Sequence, residues 1–286
     1  ITMTGTSQAA PHVTGAVADL VSARPAATSQ QIVRALTTSG PTITDPRNNV
    51  TTHRLDIPAA AQAIQQPSAE ITDEGCTASA LAANDDGSTS LVNLPFTANF
   101  FGATFPSLYV NNNGNVTFDG PLWNYTPFTI DAQTPRIIAP FLADVDTRGA
   151  GSSLVTYGQV EFGSRQALCV NWNRVGYYSY ATDKLNSFQL LLVDRSDVGQ
   201  GDFDIVMNYD AITWETGSAS GGVNGFGGTS AGAGFSAGDG NAEHFFQFPG
   251  SMVHGGLLDT NATTGLVNGS RGTLQNGRYI FPIRNG

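Results

Sequence analysis

The periodicity of the apolar residues changes along this chain, and that change constrains its fold more than any other feature. In the stretch from Gly201 to Trp214, Phe203, Ile205, Met207 and Tyr209 alternate with Asp202, Asp204, Val206 and Asn208. A period of two is the signature of a half-buried strand. Leu108 to Val110, Val116 to Phe118, Ala167 to Trp172, Phe188 to Val193 and Arg278 to Ile283 read the same way, with polar or glycine-rich turns between them. Asn113-Gly114 separates two of these segments and predicts a two-residue hairpin turn that tolerates positive φ. Near the amino terminus the spacing is helical instead. Val13, Ala16, Val17, Leu20 and Val21 fall at i, i+3, i+4, i+7 and i+8 after a start at Ser7.

Charge marks the same boundary. Residues 1–67 carry three acidic and four basic residues, whereas 68–286 carry 20 acidic and nine basic, a change in net charge from +1 to −11. The first part reads as helices: Thr28 and Gln31 form a capping-box pattern, Gly40-Pro41 is a stop signal, and Pro58 suits the first position of a last helix, Ala59 to Ile64. We therefore expect residues 1–66 as one part, 67–75 as a linker and 76–286 as a β domain large enough to bury its own core.

Ser7 is the strongest chemical signal. Pro11 is tolerated near a helix start, where several backbone N–H groups lack intrahelical partners, and those groups with the helix dipole suit a developing oxyanion. A serine so placed is otherwise a helix cap. The run GTSQAAPHV from Gly5 to Val13, followed by GAVADLVSARP, resembles the segment around the nucleophilic serine of subtilisin-like serine peptidases. The resemblance continues through TSQQIVRALTTSG and HRLDIPAAAQAI, to about residue 66. It implies that Ser7 is the nucleophile, that His12 is a packing residue and not the general base, and that the substrate is a polypeptide. It also implies a fold class of truncated α/β, mainly helices, ahead of the mostly antiparallel β domain. Such a serine needs an imidazole to accept its proton and a carboxylate to orient that imidazole, and in this family both precede the serine. The chain begins at Ile1 without an initiator Met or a signal peptide, so an amino-terminal part is expected to be missing and these 286 residues to be inert toward peptide bonds. The same reasoning expects Val13, Val17, Leu20 and Val21 to be exposed where no parallel sheet covers the helix.

The second part carries its own resemblance. FTANFFGATFPSLYVNNNGNVTF, RIIAPFLADVDTRG, NSFQLLLVDR with DFDIVMNYDAITW, and AGFSAGDGN with HFFQFPGS are similar to the successive blocks of nidogen-like extracellular domains. The resemblance implies an extracellular, secreted protein with a matrix or cell-surface partner and brings no catalytic residues. The Gly/Asn/Thr-rich stretch from Gly255 to Gly277 matches least and reads as loop.

The remaining features narrow the chemistry. A net charge of −10, a pI near 4.6 and one lysine, Lys184, argue against nucleic acid or anionic membrane as partner, because both need a basic surface. No apolar run reaches the ~20 residues of a membrane-spanning helix. Cys76 and Cys169 either form an intradomain disulfide or, for Cys169, leave a small buried thiol in a strand. Five N-x-Ser/Thr sequons start at Asn49, Asn115, Asn124, Asn261 and Asn268. GTSAG at 228–232 matches a nucleophile-elbow pattern, but it lies in glycine-rich loop without the flanking strand and helix that pattern needs. Asp144, Asp146 and Gly149 fail as an EF-hand, because Arg148 and Val155 stand where ligands belong. These aspartates either bind calcium with a distant partner such as Asp131 or form a polar turn. His244 and His254 lack zinc-ligand spacing. We assign no cofactor and no metal from the sequence.

Overall fold

A computed structural model of the chain describes residues 6–25, 27, 29–47, 49–64, 69 and 71–284. Gly5 of the serine motif and Thr28 of the capping-box pattern lie outside the described residues. The chain divides into two compact units, Ile1–Pro67 and Ser68–Gly286.

The first unit holds three helices, α1 (Thr6–Ala23), α2 (Ser29–Thr38) and α3 (Ile57–Ile64). Between α2 and α3 lies an antiparallel pair, β1 (Thr42–Thr44) with β2 (Thr51–His53). Leu20, Ile32, Ala35, Ala60 and Ile64 bury against one another where the helices meet. Val13 and Val21 are exposed, whereas Leu20 is fully buried, so the expected bare apolar face is covered along part of its length.

The expected fold class needs correction. The chain is 37% strand and 13% helix, and a mainly helical first part is not supported. Among the described residues, every ladder between named strands is antiparallel, including the hairpin in the first unit. The physical reason lies in TITDPRNNVTTH. Its β-branched residues favour extended backbone on both sides of a turn, and the Asp45 carbonyl accepts from Asn49 N–H at 2.8 Å while Asp45 N–H donates to Val50 at 2.9 Å.

The second unit runs β3 (Ser79–Ala80), β4 (Val92–Phe100), β5 (Ala103–Asn111), β6 (Asn115–Thr117), β7 (Ile137–Leu142), β8 (Val145–Asp146) and β9 (Thr156–Phe162). Then follow β10 (Arg165–Tyr177), β11 (Ala181–Asp194), β12 (Phe203–Ala211), β13 (Gly232–Ser236), β14 (Phe245–Gln247) and β15 (Arg278–Ile283). One sheet is ordered β15-β12-β11-β10-β9-β3, with β8 also on β10; the other is ordered β14-β13-β7-β6-β5-β4.

The inner faces of the two sheets share one core. Trp172 stacks on Phe188 at 5.3 Å, Phe188 meets Phe141 of the other sheet at 5.4 Å, and Tyr209 donates its hydroxyl to the Pro140 carbonyl at 2.8 Å. The outer face of β10–β12 is covered as well. Ala167, Cys169, Leu191, Val193 and Val206 pack there with Cys76, which is disulfide-bonded to Cys169. Burial on both faces explains why Leu190 to Val193 is continuously apolar while β12 still alternates at its ends.

Within 67–75, Ala69 donates its N–H to Asn276 at 2.7 Å, and the Thr72 carbonyl accepts from Asn171 and Gln189 at 2.9 Å each. The stretch from Gly255 to Gly277 contains no named strand, yet Leu257, Leu266 and Val267 reach the core. Irregular backbone here still supplies core side chains.

Candidate functional site

Ser7 is the second residue of α1 and is solvent-exposed. His12 is exposed five residues further along the same helix, about 140° around its axis at 3.6 residues per turn. It therefore does not face Ser7. His53 Nδ1 sits 2.8 Å from the Gly40 carbonyl. In the second unit, His244 Nδ1 pairs with Asp239 at 2.6 Å and His254 Nδ1 with Glu215 at 2.5 Å. Ser230 of GTSAG is buried just before β13, and no helix follows it.

The most unusual chemistry in the described chain is acidic. Asp144 lies between β7 and β8, and Asp85 and Asp86 lie on the loop before β4; one carboxylate oxygen from each falls within 4.8 Å of the others. The loop is fixed by long-range hydrogen bonds. Asn84 N–H donates to Thr147 Oγ1 and Thr147 N–H to the Asn84 carbonyl, both at 2.9 Å. Asn112 donates its amide to the carbonyls of Asp85 and Val145, and its own carbonyl accepts from Trp172 Nε1 at 2.9 Å. Asn113 Nδ2 donates to Asp86 Oδ1 at 2.8 Å and to the Asn124 carbonyl at 3.1 Å, while Asn113 Oδ1 accepts from Val145 N–H at 3.0 Å.

These asparagines form the turn between β5 and β6. Asn111 pairs with Asn115, so the turn has three residues and not the expected two. Gly114 closes it at φ +72°, where a Cβ would lie 1.8 Å from the Phe141 carbonyl oxygen. Only glycine fits there. Asn115 is fully buried and hydrogen-bonded to Asn111, so its sequon is inaccessible in the folded unit.

Asp144 and Asp146 have opposite environments. Burial opposes ionisation of Asp146, but hydrogen bonds from Arg148 and from Tyr180 N–H outweigh it and hold the carboxyl below its ordinary range. Asp144 is 1% exposed, and neither of its carboxylate oxygens has a hydrogen-bond partner. Burial, and then the charges of Asp85, Asp86 and Asp146, push it up to about 8. Asp85 is raised to about 6 by burial and by Asp146 and Asp86, against the pull of Arg148, which lies 3.0 Å from its Oδ2. Gly217 backs the Asp144 carboxylate so closely that a Cβ there would lie 2.4 Å from Oδ2.

Asp131 does not join this cluster. Its Oδ1 accepts from Gln133 and Thr134 and closes its own turn. The sequence pointed to Asp144 but not to Asp85 or Asp86, which reach it through asparagine bridges that leave no local pattern.

The comparisons with known proteins follow the two units. The profile of the nidogen-like domain matches residues 106–285, and that of the subtilase family matches residues 1–62, the latter weakly. Mouse alpha-tectorin is 35% identical over 193 residues, covering 59% of this chain and 9% of that protein. Chicken alpha-tectorin is 32% identical over 224 residues, covering 70% of this chain and 10% of its own length. Nidogen of Drosophila melanogaster is 32% identical over 132 residues, 38% of this chain and 10% of that protein. The chain thus spans about a tenth of the length of these relatives. No solved structure matches. Among the described residues, no helix is long and apolar enough to cross a membrane.

Proposed function

Because the chain belongs to the nidogen-like domain family, we propose that it works as an extracellular, matrix-associated binding module, with Ser68–Gly286 as its working unit. The observation that carries this reading is the family match over 106–285, which falls within the two-sheet unit. The relatives are extracellular matrix proteins, which supports a matrix or cell-surface partner. An acidic, disulfide-bonded β unit suits an oxidising compartment.

A second reading rests on the subtilase match at 1–62: the chain is the carboxy-terminal portion of a secreted serine endopeptidase in which Ser7 attacks a peptide carbonyl. Ser7 stands on an exposed helix start and His12, the histidine of the same helix, is turned away from it, so α1 supplies no base to activate the serine.

Solid-phase binding of the purified chain to an immobilised extracellular-matrix extract, run beside a casein-hydrolysis assay, separates the two readings. Saturable binding lost on heat unfolding, with no hydrolysis above blank, is expected. Hydrolysis abolished by Ser7→Ala would establish the endopeptidase, and absence of saturable binding would overturn the module.

A further inference from the structure

We propose that Asp85, Asp86 and Asp144 form a binding site for one calcium ion, anchored by the buried Asp144. This goes beyond the binding-module reading and does not rest on it. Three carboxylate oxygens within 4.8 Å of one another fit the diameter of a coordination sphere with calcium–oxygen contacts at about 2.4 Å.

The independent observation is Asp144 itself. Its side chain is 1% exposed, its two oxygens lie buried without a hydrogen-bond donor, and it faces Asp85, whose Oδ1 is likewise buried and unpaired. A buried carboxylate without a partner is costly, and buried charges in proteins are ordinarily paired or bound to metal. Protein cations do not fill this role. Arg148 is committed to Asp146 at 2.7 Å and to Asp85 Oδ2 at 3.0 Å, leaving Asp85 Oδ1 and both Asp144 oxygens.

The donor set selects the metal. Carboxylate oxygen alone, with no His or Cys in the cluster, suits a hard divalent cation and not zinc or copper. Magnesium demands near-ideal octahedral geometry and gives up its water reluctantly, whereas calcium accepts irregular cages of oxygen. Two loops, the one before β4 and the one between β7 and β8, supply such a cage. Asp85 and Asp86 are only half-buried, which leaves the solvent side open to water ligands. With Asp146 neutralised by Arg148, a divalent ion that displaces the Asp144 proton leaves the three ionised carboxylates with a net charge of −1.

The site also has a structural consequence. Asn113 links Asp86 to the Asn124 carbonyl, and Asn124 is flanked by the exposed Trp123 and Tyr125. Calcium would therefore hold the loop that presents these rings.

The test uses the full chain, stripped with EGTA and then melted with calcium or magnesium. About 2 mM calcium, within the range of extracellular modules, should raise Tm by about 5 °C, the shift that ligand excess produces in a unit of this size. Asp144→Asn should remove the shift while melting no lower than the stripped wild type, which shows that it is folded. Asp86→Asn should raise the half-saturating calcium at least about tenfold, one lost ligand's worth of affinity. Asp131→Asn should keep the full shift. No shift in the wild type at about 10 mM calcium, far above the affinity of such modules, would overturn the proposal. So would a shift retained in Asp144→Asn, and an equal response to magnesium would overturn the choice of calcium.

Discussion

Asp146 and Arg148 close on each other as a fork, with Nε 2.8 Å from Oδ1 and Nη2 2.7 Å from Oδ2, and the guanidinium lies 4.4 Å from the centre of the Tyr180 ring. The Asp146 side chain is fully buried and the Arg148 side chain is 30% exposed. Two aspartates separated by one residue thus meet different fates, one matched by a cation of the chain and the other left for an outside one.

Removing the Arg148 side chain leaves a buried carboxylate without a countercharge, held only by the backbone N–H groups of Arg148 and Tyr180. We expect Arg148→Ala to lower stability by about 2 kcal/mol or more, the cost of breaking a partly buried ion pair. Arg148→Lys should recover only part of it, because an ammonium lacks the planar fork. Urea unfolding with matched slopes checks both, and a change below about 0.5 kcal/mol, the level of an ordinary surface substitution, would contradict the assigned role.

Glycines at positive φ differ in what surrounds them. Gly114→Ala should cost more than about 3 kcal/mol, because the new methyl meets the Phe141 carbonyl oxygen at 1.8 Å and the backbone is held at φ +72°. Gly102→Ala, at φ +88° with nothing within 4 Å, should cost only the conformational penalty of about 1 kcal/mol. Equal destabilisation of the two would show that the asparagine turn is looser than described.

The Cys76–Cys169 bond closes a separation of 93 residues and ties the segment before β3 to the outer face of β10. Chain entropy puts its contribution at about 4.6 kcal/mol. The Cys76→Ser/Cys169→Ser double variant should lose about 2–5 kcal/mol. Reductant should reproduce that loss in the wild type and leave the double variant unchanged.

Two core tyrosines make the fold sensitive to alkali. Burial, reinforced by Tyr279, raises Tyr209 well above the ordinary 10.0, and burial raises Tyr279 to about 12 against a hydrogen bond from Gly269 N–H. Their folded pKa values exceed the unfolded one, so their contribution is complete below pH 10 and is lost as pH rises from 10 to beyond 12. Stability should fall more steeply with pH in the wild type than in Tyr279→Phe over that window. Parallel slopes would contradict the assignment.

The local signals in the sequence were those of strand and core. Phe203, Ile205, Met207 and Tyr209 carry the alternation of β12, and Leu190 to Val193 carry the unbroken apolar run of a strand covered on both faces. The antiparallel hairpin of the first unit rests on strands of only three residues, too short to show a period, although Thr42 to Thr44 and Thr51 to Thr52 are β-branched throughout. Asp144 stood out in the sequence, but its neighbours did not. Asp85 comes to it through Asn112 and Thr147, and Asp86 through Asn113, which lie 27 or more residues away along the chain. Hydrogen bonds over such separations have no period to read.

Calorimetric titration of calcium into the EGTA-stripped full chain tests the central claim most directly, because it counts ions. Binding of about one ion per chain, as three converging carboxylates can hold a single cation, and no heat of binding in Asp144→Asn, is the expected result. A wild-type chain that takes up no calcium, or an Asp144→Asn chain that still binds one, would contradict the account.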